Sequence, residues 1–349
     1  MKLVGAVSLV LFAASTTPAR AGLELIFDTS AAHATLDVLT GASPATPEEL
    51  ARVAALPANQ AQIRHAARFR ASYTAQSFVD DLGKAARNEP LGDDPWELGL
   101  VKERLAATKE LLQKVETAPK ALTDAVASRL AAFVEPGKSA RIVVHFIVGG
   151  SSDGFAPEAS DFYIALHFFR GDEEGLRVLM SHELFHIIRP KPKAVTPEPP
   201  RNVAAARELI DHTMNEGVAS WIGDPTRAPA GPYVDWFALK YKRNLNRLSE
   251  NVALFDVLLY YIWNDAEADE NGLYKLGFSG VWDSPLYFVG YAMAGYLAAK
   301  EGPGAVPDAV RAGAEAFFAR YRAAAKKHGG APVTFSKSTE KILTSLGSR

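Results

Sequence analysis

GLRVLMSHELFHII, residues 175–188, is the most informative stretch of the chain. Its apolar residues recur at the three-to-four-residue spacing of a helix, and Pro190 ends the pattern. His182 and His186 lie four positions apart, so a helix places both imidazoles on one face, with Cβ atoms about 5–6 Å apart. Burying two histidines and Glu183 in an apolar helix is costly unless they are paired or bind a metal. We therefore expect a buried helix that carries a metal site.

The order of these residues, H-E-x-x-H, is a pattern found in zinc hydrolases. Each histidine can supply one nitrogen to a single Zn²⁺ at about 2.0–2.1 Å. Glu183 is turned about 100° around the helix from His182, too far round for an ideal third ligand. It is placed instead to take a proton from a water molecule, as a general base does. The alternative is a buried helix with two hydrogen-bonded histidines and no metal.

A third ligand is needed, because a catalytic zinc has three protein ligands and an open position. The strongest candidate is Glu216, in the stretch NEGVAS at residues 215–220, because it sits among apolar residues of a second predicted helix. His212, one turn earlier, is the alternative and would give a three-histidine site. Glu216 could also be an exposed glutamate of the helix surface.

Two strands are predicted before the H-E-x-x-H helix, at 141–148 (RIVVHFIV) and at 161–169 (DFYIALHFF). Gly149–Gly154 is a turn rather than a phosphate loop, since no G-K-[ST] follows it. The second strand is expected to offer its edge to an extended peptide. Five prolines within 190–200 predict an extended loop. Further helices are predicted over 202–222, 233–264, 286–300 and 305–327.

The chain is expected to be α+β with helix dominant, in three parts. Residues 1–21 resemble a signal peptide, with a short apolar run and the cleavage site Ala19-Arg20-Ala21. Residues 22–138 are predicted to be mostly helical, and 139–349 to form the catalytic domain. The mature chain should have no membrane span and be secreted or periplasmic.

Composition excludes several classes of protein. The chain has 349 residues, with 38 basic and 40 acidic residues and no cysteine. Disulfide frameworks, thiolate nucleophiles and cysteine metal sites are therefore excluded. The charge balance and the lack of a dense basic stripe argue against nucleic acid as a partner. A transition metal would have to be bound by His, Asp or Glu.

The two motifs, HELFH and NEGVAS, together resemble the gluzincins, zinc peptidases with two histidines on one helix and a glutamate on a second. The aminopeptidase N and leukotriene A4 hydrolase family is similar around its zinc glutamate, and residues 286–292 (LYFVGYA) resemble the segment that holds its catalytic tyrosine. The resemblance implies that Tyr287 donates a hydrogen bond to the oxyanion of the reaction intermediate. Tyr291 is the alternative donor, and Tyr287 could instead be a core tyrosine with no catalytic role. The family's G-x-M-E-N run is not found, so the resemblance does not extend to aminopeptidase specificity.

Most of the mature chain is similar to an uncharacterised bacterial family of proposed zinc-dependent peptidases. The residues that carry this similarity are IFDTS at 26–30, VHFIVGGSSDG at 144–154, HELFH and NEGVASW. It implies a zincin-like catalytic core, one Zn²⁺ on His182, His186 and Glu216, and a peptide or protein substrate. The alternatives are a zinc hydrolase of a non-peptide amide or ester, and a non-catalytic envelope protein.

Overall fold

The computed structural model describes residues 22–347 except 136, 159, 191–198 and 266. The predicted signal peptide and most of the proline-rich loop lie outside the described residues. Within them, no helix combines the length and hydropathy that a membrane crossing requires. The α-helices are α1 (Ser30–Thr40), α2 (Pro47–Ala54), α3 (Pro57–Ala67), α4 (Ala75–Ala86), α5 (Leu98–Glu103), α6 (Leu105–Thr117), α7 (Pro119–Leu130), α8 (Glu173–Ile188), α9 (Arg201–Ile222), α10 (Pro232–Asn246), α11 (Leu248–Asn264), α12 (Glu270–Phe278), α13 (Pro285–Glu301), α14 (Ala305–Ala312), α15 (Ala314–His328) and α16 (Lys337–Gly347).

One small mixed sheet accompanies the helices, which confirms the predicted helix-dominant α+β class. Its strands are β1 (Leu23–Asp28), β2 (Ala140–Ile147), β3 (Gly154–Glu158) and β4 (Asp161–Ala165), in the spatial order β1-β2-β4-β3. β2 pairs in parallel with both β1 and β4, whereas β3 and β4 are antiparallel. The sheet therefore has four strands where the sequence predicted two.

Two predictions about the strand at 161–169 are wrong. It ends at Ala165, and Leu166–Phe169 form a 3₁₀ helix, because a short apolar run does not by itself distinguish strand from helix. β4 also lies between β2 and β3, so both of its edges are paired. The edge of the sheet that contacts α8 belongs to β3.

The sheet crosses the boundary that the sequence suggested near residue 138. β1 comes from the region predicted to be helical, and Leu23 to Asp28 pair residue by residue with Ala140 to His145 of β2. One continuous apolar core also runs from Ala32 in α1 to Leu346 in α16. The division into an N-terminal region and a catalytic domain stays a prediction.

Asp172 joins the start of the H-E-x-x-H helix to α10. One of its carboxylate oxygens caps α8 by accepting from the backbone N–H of Gly175, at 2.9 Å. The other accepts from the N–H groups of Tyr233 and Val234, at 3.1 and 3.0 Å. A Cβ on Gly231 would lie 2.3 Å from that second oxygen, so only glycine fits there. This contact fixes α10 beside α8.

A pair of glycines brings α9 and α13 into very close contact. A Cβ on Gly290 would lie 2.0 Å from the carbonyl oxygen of Thr213, and one on Gly217 would lie 2.3 Å from Gly290 Cα. Contacts this short are incompatible with any side chain, so both positions require glycine. Glu216 is adjacent to Gly217, and Tyr287 lies one helical turn before Gly290. The close approach of the two helices therefore brings Glu216 and Tyr287 to the same end of α8.

Candidate metal centre

His182 and His186 on α8 meet Glu216 on α9, and we call these three side chains the candidate metal centre. Glu216 Oε2 lies 3.5 Å from His182 Nε2 and 3.4 Å from His186 Nε2. Each residue offers one ligand atom, and all three atoms lie within 4.8 Å of one another. Across the part of the chain that the structure describes, no other three His, Asp or Glu side chains each place one ligand atom within this distance of both others.

The two separations from Glu216 are compatible with a bound zinc ion. Two ligands that each lie about 2.0–2.1 Å from zinc at a tetrahedral angle are about 3.3–3.4 Å apart. The observed 3.4 and 3.5 Å match that spacing, whereas a direct N–H···O bond has its usual length near 2.9 Å. Two histidines and one glutamate are also an established set of catalytic zinc ligands. The donor set therefore fits zinc in both chemistry and spacing.

The candidate metal centre holds strongly interacting charges. Burial alone would raise the pKa of Glu216, but His186 and His182 outweigh it and hold that pKa well below its usual range. Burial alone would lower the pKa of His186, but Glu216 outweighs it and raises that pKa to about 9. The carboxylate thus stays ionised at neutral pH, which is the form that binds a cation.

Asn215 orients one of the two histidines. Its Oδ1 lies 3.0 Å from Nδ1 of His186, so the Nδ1–H donates to it and Nε2 faces Glu216. Hydrogen bonds of this kind fix the tautomer and ring orientation of metal-binding histidines. The sequence analysis missed this role of Asn215, although its position beside the predicted ligand and its buried polar character were both signals.

His212 and Tyr291, the alternatives to Glu216 and Tyr287, lie away from the candidate metal centre. His212 Nε2 is 3.3 Å from Glu208 Oε1, and its ring packs on Tyr274 with centroids 5.0 Å apart, so it does not join the candidate metal centre. Tyr291 donates to Asp224 Oδ2 at 2.7 Å. The structure therefore brings Glu216 and Tyr287, rather than His212 and Tyr291, towards the two histidines. Their roles as ligand and oxyanion donor stay predictions.

A cavity of about 420 Å³ lies beside the candidate metal centre, with lining residues that include His182, Glu183 and Tyr287. Glu183 is half-buried, and burial raises the pKa of its carboxyl, with Glu216 and Asp153 adding to the rise and the two histidines opposing it. The carboxylate that the sequence predicted as the base therefore faces the space where a substrate could lie.

Tyr287 stacks near the same histidine. Its ring centroid lies 6.2 Å from that of His182, with an angle of 17° between the planes. Burial raises the pKa of Tyr287 well above its ordinary value, and a hydrogen bond to Glu216 raises it further. The hydroxyl consequently keeps its proton at neutral pH and can act as a hydrogen-bond donor.

Several charged residues that were not predicted from the sequence also line the cavity, among them Asp153 and Lys240. Asp153 comes from the turn before β3 and accepts from the hydroxyl of Tyr233 at 2.7 Å. Lys240 comes from α10, 54 positions after His186 in the sequence. No local pattern marks either residue, because only the packing of α10 and the turn against α8 brings them to the site.

Comparison with known proteins gives one match. Searches of the curated proteins and of the solved structures return no significant match. A family model matches residues 50–330, which include His182, Glu183, His186, Glu216 and Tyr287. The chain belongs to the family described as "Putative zinc dependent peptidase (DUF5700)".

Proposed function

We propose that this chain is a zinc-dependent peptidase in which His182, His186 and Glu216 bind one zinc ion and Glu183 is the general base. The observation that supports this most directly is that His182 Nε2 and His186 Nε2 lie 3.5 and 3.4 Å from Glu216 Oε2. These three atoms meet beside a cavity that Glu183 lines. A purely structural zinc site would need neither the carboxylate of Glu183, which is not one of the three ligands, nor an adjoining cavity.

Zinc, when bound, supplies a Lewis acid that polarises a carbonyl oxygen and lowers the pKa of a water molecule. Glu183 then acts first as a general base and afterwards as a general acid. It lies one residue from His182 and faces the cavity, so its carboxylate can accept the proton of the attacking water and return it to the leaving amine nitrogen.

Tyr287 is proposed to stabilise the charge that develops on the substrate carbonyl oxygen. Its ring centroid lies 6.2 Å from that of His182, and the charge of Glu216 helps to raise the pKa of its hydroxyl, so Tyr287 is a neighbour of the candidate metal centre. A donor already held in position needs no reorganisation when negative charge appears. Replacing Tyr287 by Phe should therefore lower kcat without loss of zinc.

The mouth of the cavity carries exposed apolar side chains. Trp236 and Leu239 line it and are 59% and 52% exposed, and Val281 and Trp282 follow the lining residue Gly280. Exposed aromatic and aliphatic groups beside a polar centre fit the side chains of a peptide. We include export by the predicted signal peptide in this proposal.

The test compares the wild type with Glu183→Gln on a peptide library, with zinc content measured on the same samples. We expect kcat/KM to fall by about 10²–10⁴-fold, because a general base contributes that much. Zinc should stay near one equivalent. Glu208→Gln, an exposed carboxylate on α9, is the matched control and should keep full activity. Full activity of Glu183→Gln on all peptides would overturn the proposal.

A further inference from the structure

A lysine reaches the same cavity as the candidate metal centre. Lys240 on α10 lines it together with His182 and Glu183. Its Nζ donates to Ser284 Oγ at 3.2 Å and lies 5.3 Å from the ring centroid of Tyr287. The ammonium group and the imidazole of His182, whose ring centroid lies 6.2 Å from that of Tyr287, are thus neighbours of the same tyrosine ring.

The charge of Lys240 is incompletely compensated. An ammonium group has three N–H donors, and one of them is directed to the neutral Ser284 hydroxyl. In the described part of the chain, no carboxylate oxygen lies within ion-pair distance of Nζ. The other cation of the cavity, Arg243, forms two 2.9 Å hydrogen bonds with Asp283. Of these two cations, Lys240 is therefore the one that has N–H donors available for a ligand.

The surroundings of Lys240 favour an added negative charge. Burial lowers the pKa of its ammonium group, and Asp283 opposes that effect only in part. A carboxylate that hydrogen-bonded to Nζ would stabilise the charged form. Asp153 and Glu183 also line the cavity and would repel the same carboxylate, whereas the ammonium group of Lys240 would attract it.

The structure holds Lys240 firmly in place. Asp172 fixes the first turn of α10, and Asn244 near its end donates to the backbone oxygen of Asp283 at 3.1 Å. Asp283 and Ser284 both adopt left-handed backbone conformations, with φ of 67° and 51°. Such strain persists only where the surrounding contacts impose it, and it is concentrated at functional sites.

We infer that Lys240 binds a carboxylate of the substrate and so selects peptides that carry one close to the cleaved bond. This inference rests on the proposed function. Because consecutive Cα atoms are 3.80 Å apart, and Lys240 and His182 both lie beside the ring of Tyr287, a carboxylate held by Lys240 belongs within a few residues of that bond. The carboxylate is either the C-terminal group of the peptide or the side chain of Asp or Glu.

The test measures peptide binding by calorimetry in the Glu183→Gln background, where turnover does not interfere, and KM and kcat in the otherwise unchanged enzyme. Three versions of one cleaved peptide are compared: with a free C-terminus, with an amidated C-terminus, and amidated with an internal Asp. Lys240→Met should raise the Kd and KM of the carboxylate peptides by about 10–100-fold, since hydrogen bonds to charged groups contribute that range. The plain amidated peptide should be unaffected, and Lys240→Arg should restore part of the loss.

Controls separate this inference from the proposed function. Lys242→Met, two positions away and exposed, should change nothing, and matching thermal unfolding curves should show that Lys240→Met folds. Equal loss for carboxylate and plain amidated peptides would overturn the inference. So would a fall in kcat alone, which would place Lys240 in the transition state. A wild type that cleaves all three peptides equally well refutes only the inference, whereas one that neither binds nor cleaves peptides refutes both proposals.

Discussion

A second group of histidine and carboxylate side chains lies in the sheet, and its contacts are shorter than those of the candidate metal centre. In this second group, which we call the sheet cluster, His145 lies between Asp28 and Asp161 on three neighbouring strands. Its Nδ1 and Nε2 are each 2.9 Å from a carboxylate oxygen. In the candidate metal centre the two histidine nitrogens lie 3.4 and 3.5 Å from Glu216, and His182 lines the adjoining cavity.

The difference shows what each group can do. Each nitrogen of His145 already lies 2.9 Å from a carboxylate oxygen, so neither nitrogen is directed at an open position where a metal ion could bind. A histidine that binds a metal must be neutral and direct a lone pair at the ion. At the candidate metal centre, Asn215 accepts from Nδ1 of His186, and Nε2 of the same ring lies 3.4 Å from Glu216 Oε2. Histidine–carboxylate proximity alone is therefore not a metal site.

The largest expected effect is on metal binding. His186→Ala removes one of three ligands and should weaken zinc binding by more than about 100-fold, because even residues that only orient a ligand contribute 10–100-fold. His145→Gln should leave zinc binding unchanged. Zinc affinity, measured by competition with a chromophoric chelator, checks both variants. Comparable zinc loss in the two would remove the distinction between the groups.

The next effect concerns the helix crossing that supports the candidate metal centre. Gly290→Ala forces a Cβ against the Thr213 carbonyl, and overpacking of this kind costs about 1–3 kcal/mol or more. Denaturant unfolding of the zinc-depleted protein measures the loss. Gly280→Ala is the control, since a Cβ there meets nothing within 4 Å. Equal stability of the two variants would show that the crossing is looser than described.

Asn215 tests the contact that distinguishes the two groups. Asn215→Ala removes the acceptor of His186 Nδ1–H and should weaken zinc binding by about 10–100-fold while one equivalent still binds at saturation. Asn202→Ala on the same helix, whose amide donates to the Trp263 carbonyl, is the control. An unchanged zinc affinity for Asn215→Ala would mean that the ring of His186 is held by packing alone.

What could be predicted from the sequence was local. The spacing of His182 and His186 needed only helix geometry, and Glu216 followed from its place among apolar residues of the next helix. The strand β1 could not be predicted in the same way, because it pairs with residues more than a hundred positions later. The end of β4 was missed because DFYIALHFF carries no period that separates a strand from a 3₁₀ turn.

The residues on the cavity side of the site could not be predicted from the sequence, because tertiary packing brings them together. Asp153 lies in the turn before β3 and Lys240 lies on α10, whose start Asp172 holds beside α8, and no local pattern shows that the two side chains line one cavity. Tyr287 was chosen over Tyr291 by resemblance, and both lie on α13 one turn apart. Only the Gly217–Gly290 crossing decides which of the two faces His182.

The smallest effect expected is on acid stability, and it belongs to the sheet cluster. Burial raises the pKa of both Asp28 and Asp161, but hydrogen bonds from serine neighbours and from His145 outweigh it and lower both pKa values below 3.8. Groups with depressed pKa values stabilise the fold above the unfolded pKa, and this stability is lost as the pH falls through the folded values.

His145→Gln should therefore cost about 1–2 kcal/mol of unfolding free energy at about pH 5, where both carboxylates are ionised, and less at about pH 3. Denaturant unfolding of wild type and variant at the two pH values gives the comparison, with His33→Gln, an exposed histidine paired with Glu116, as the control. A difference that is as large at pH 3 as at pH 5 would show that His145 contributes through its packing on Tyr163, whose ring lies 4.7 Å away, and not through its charge.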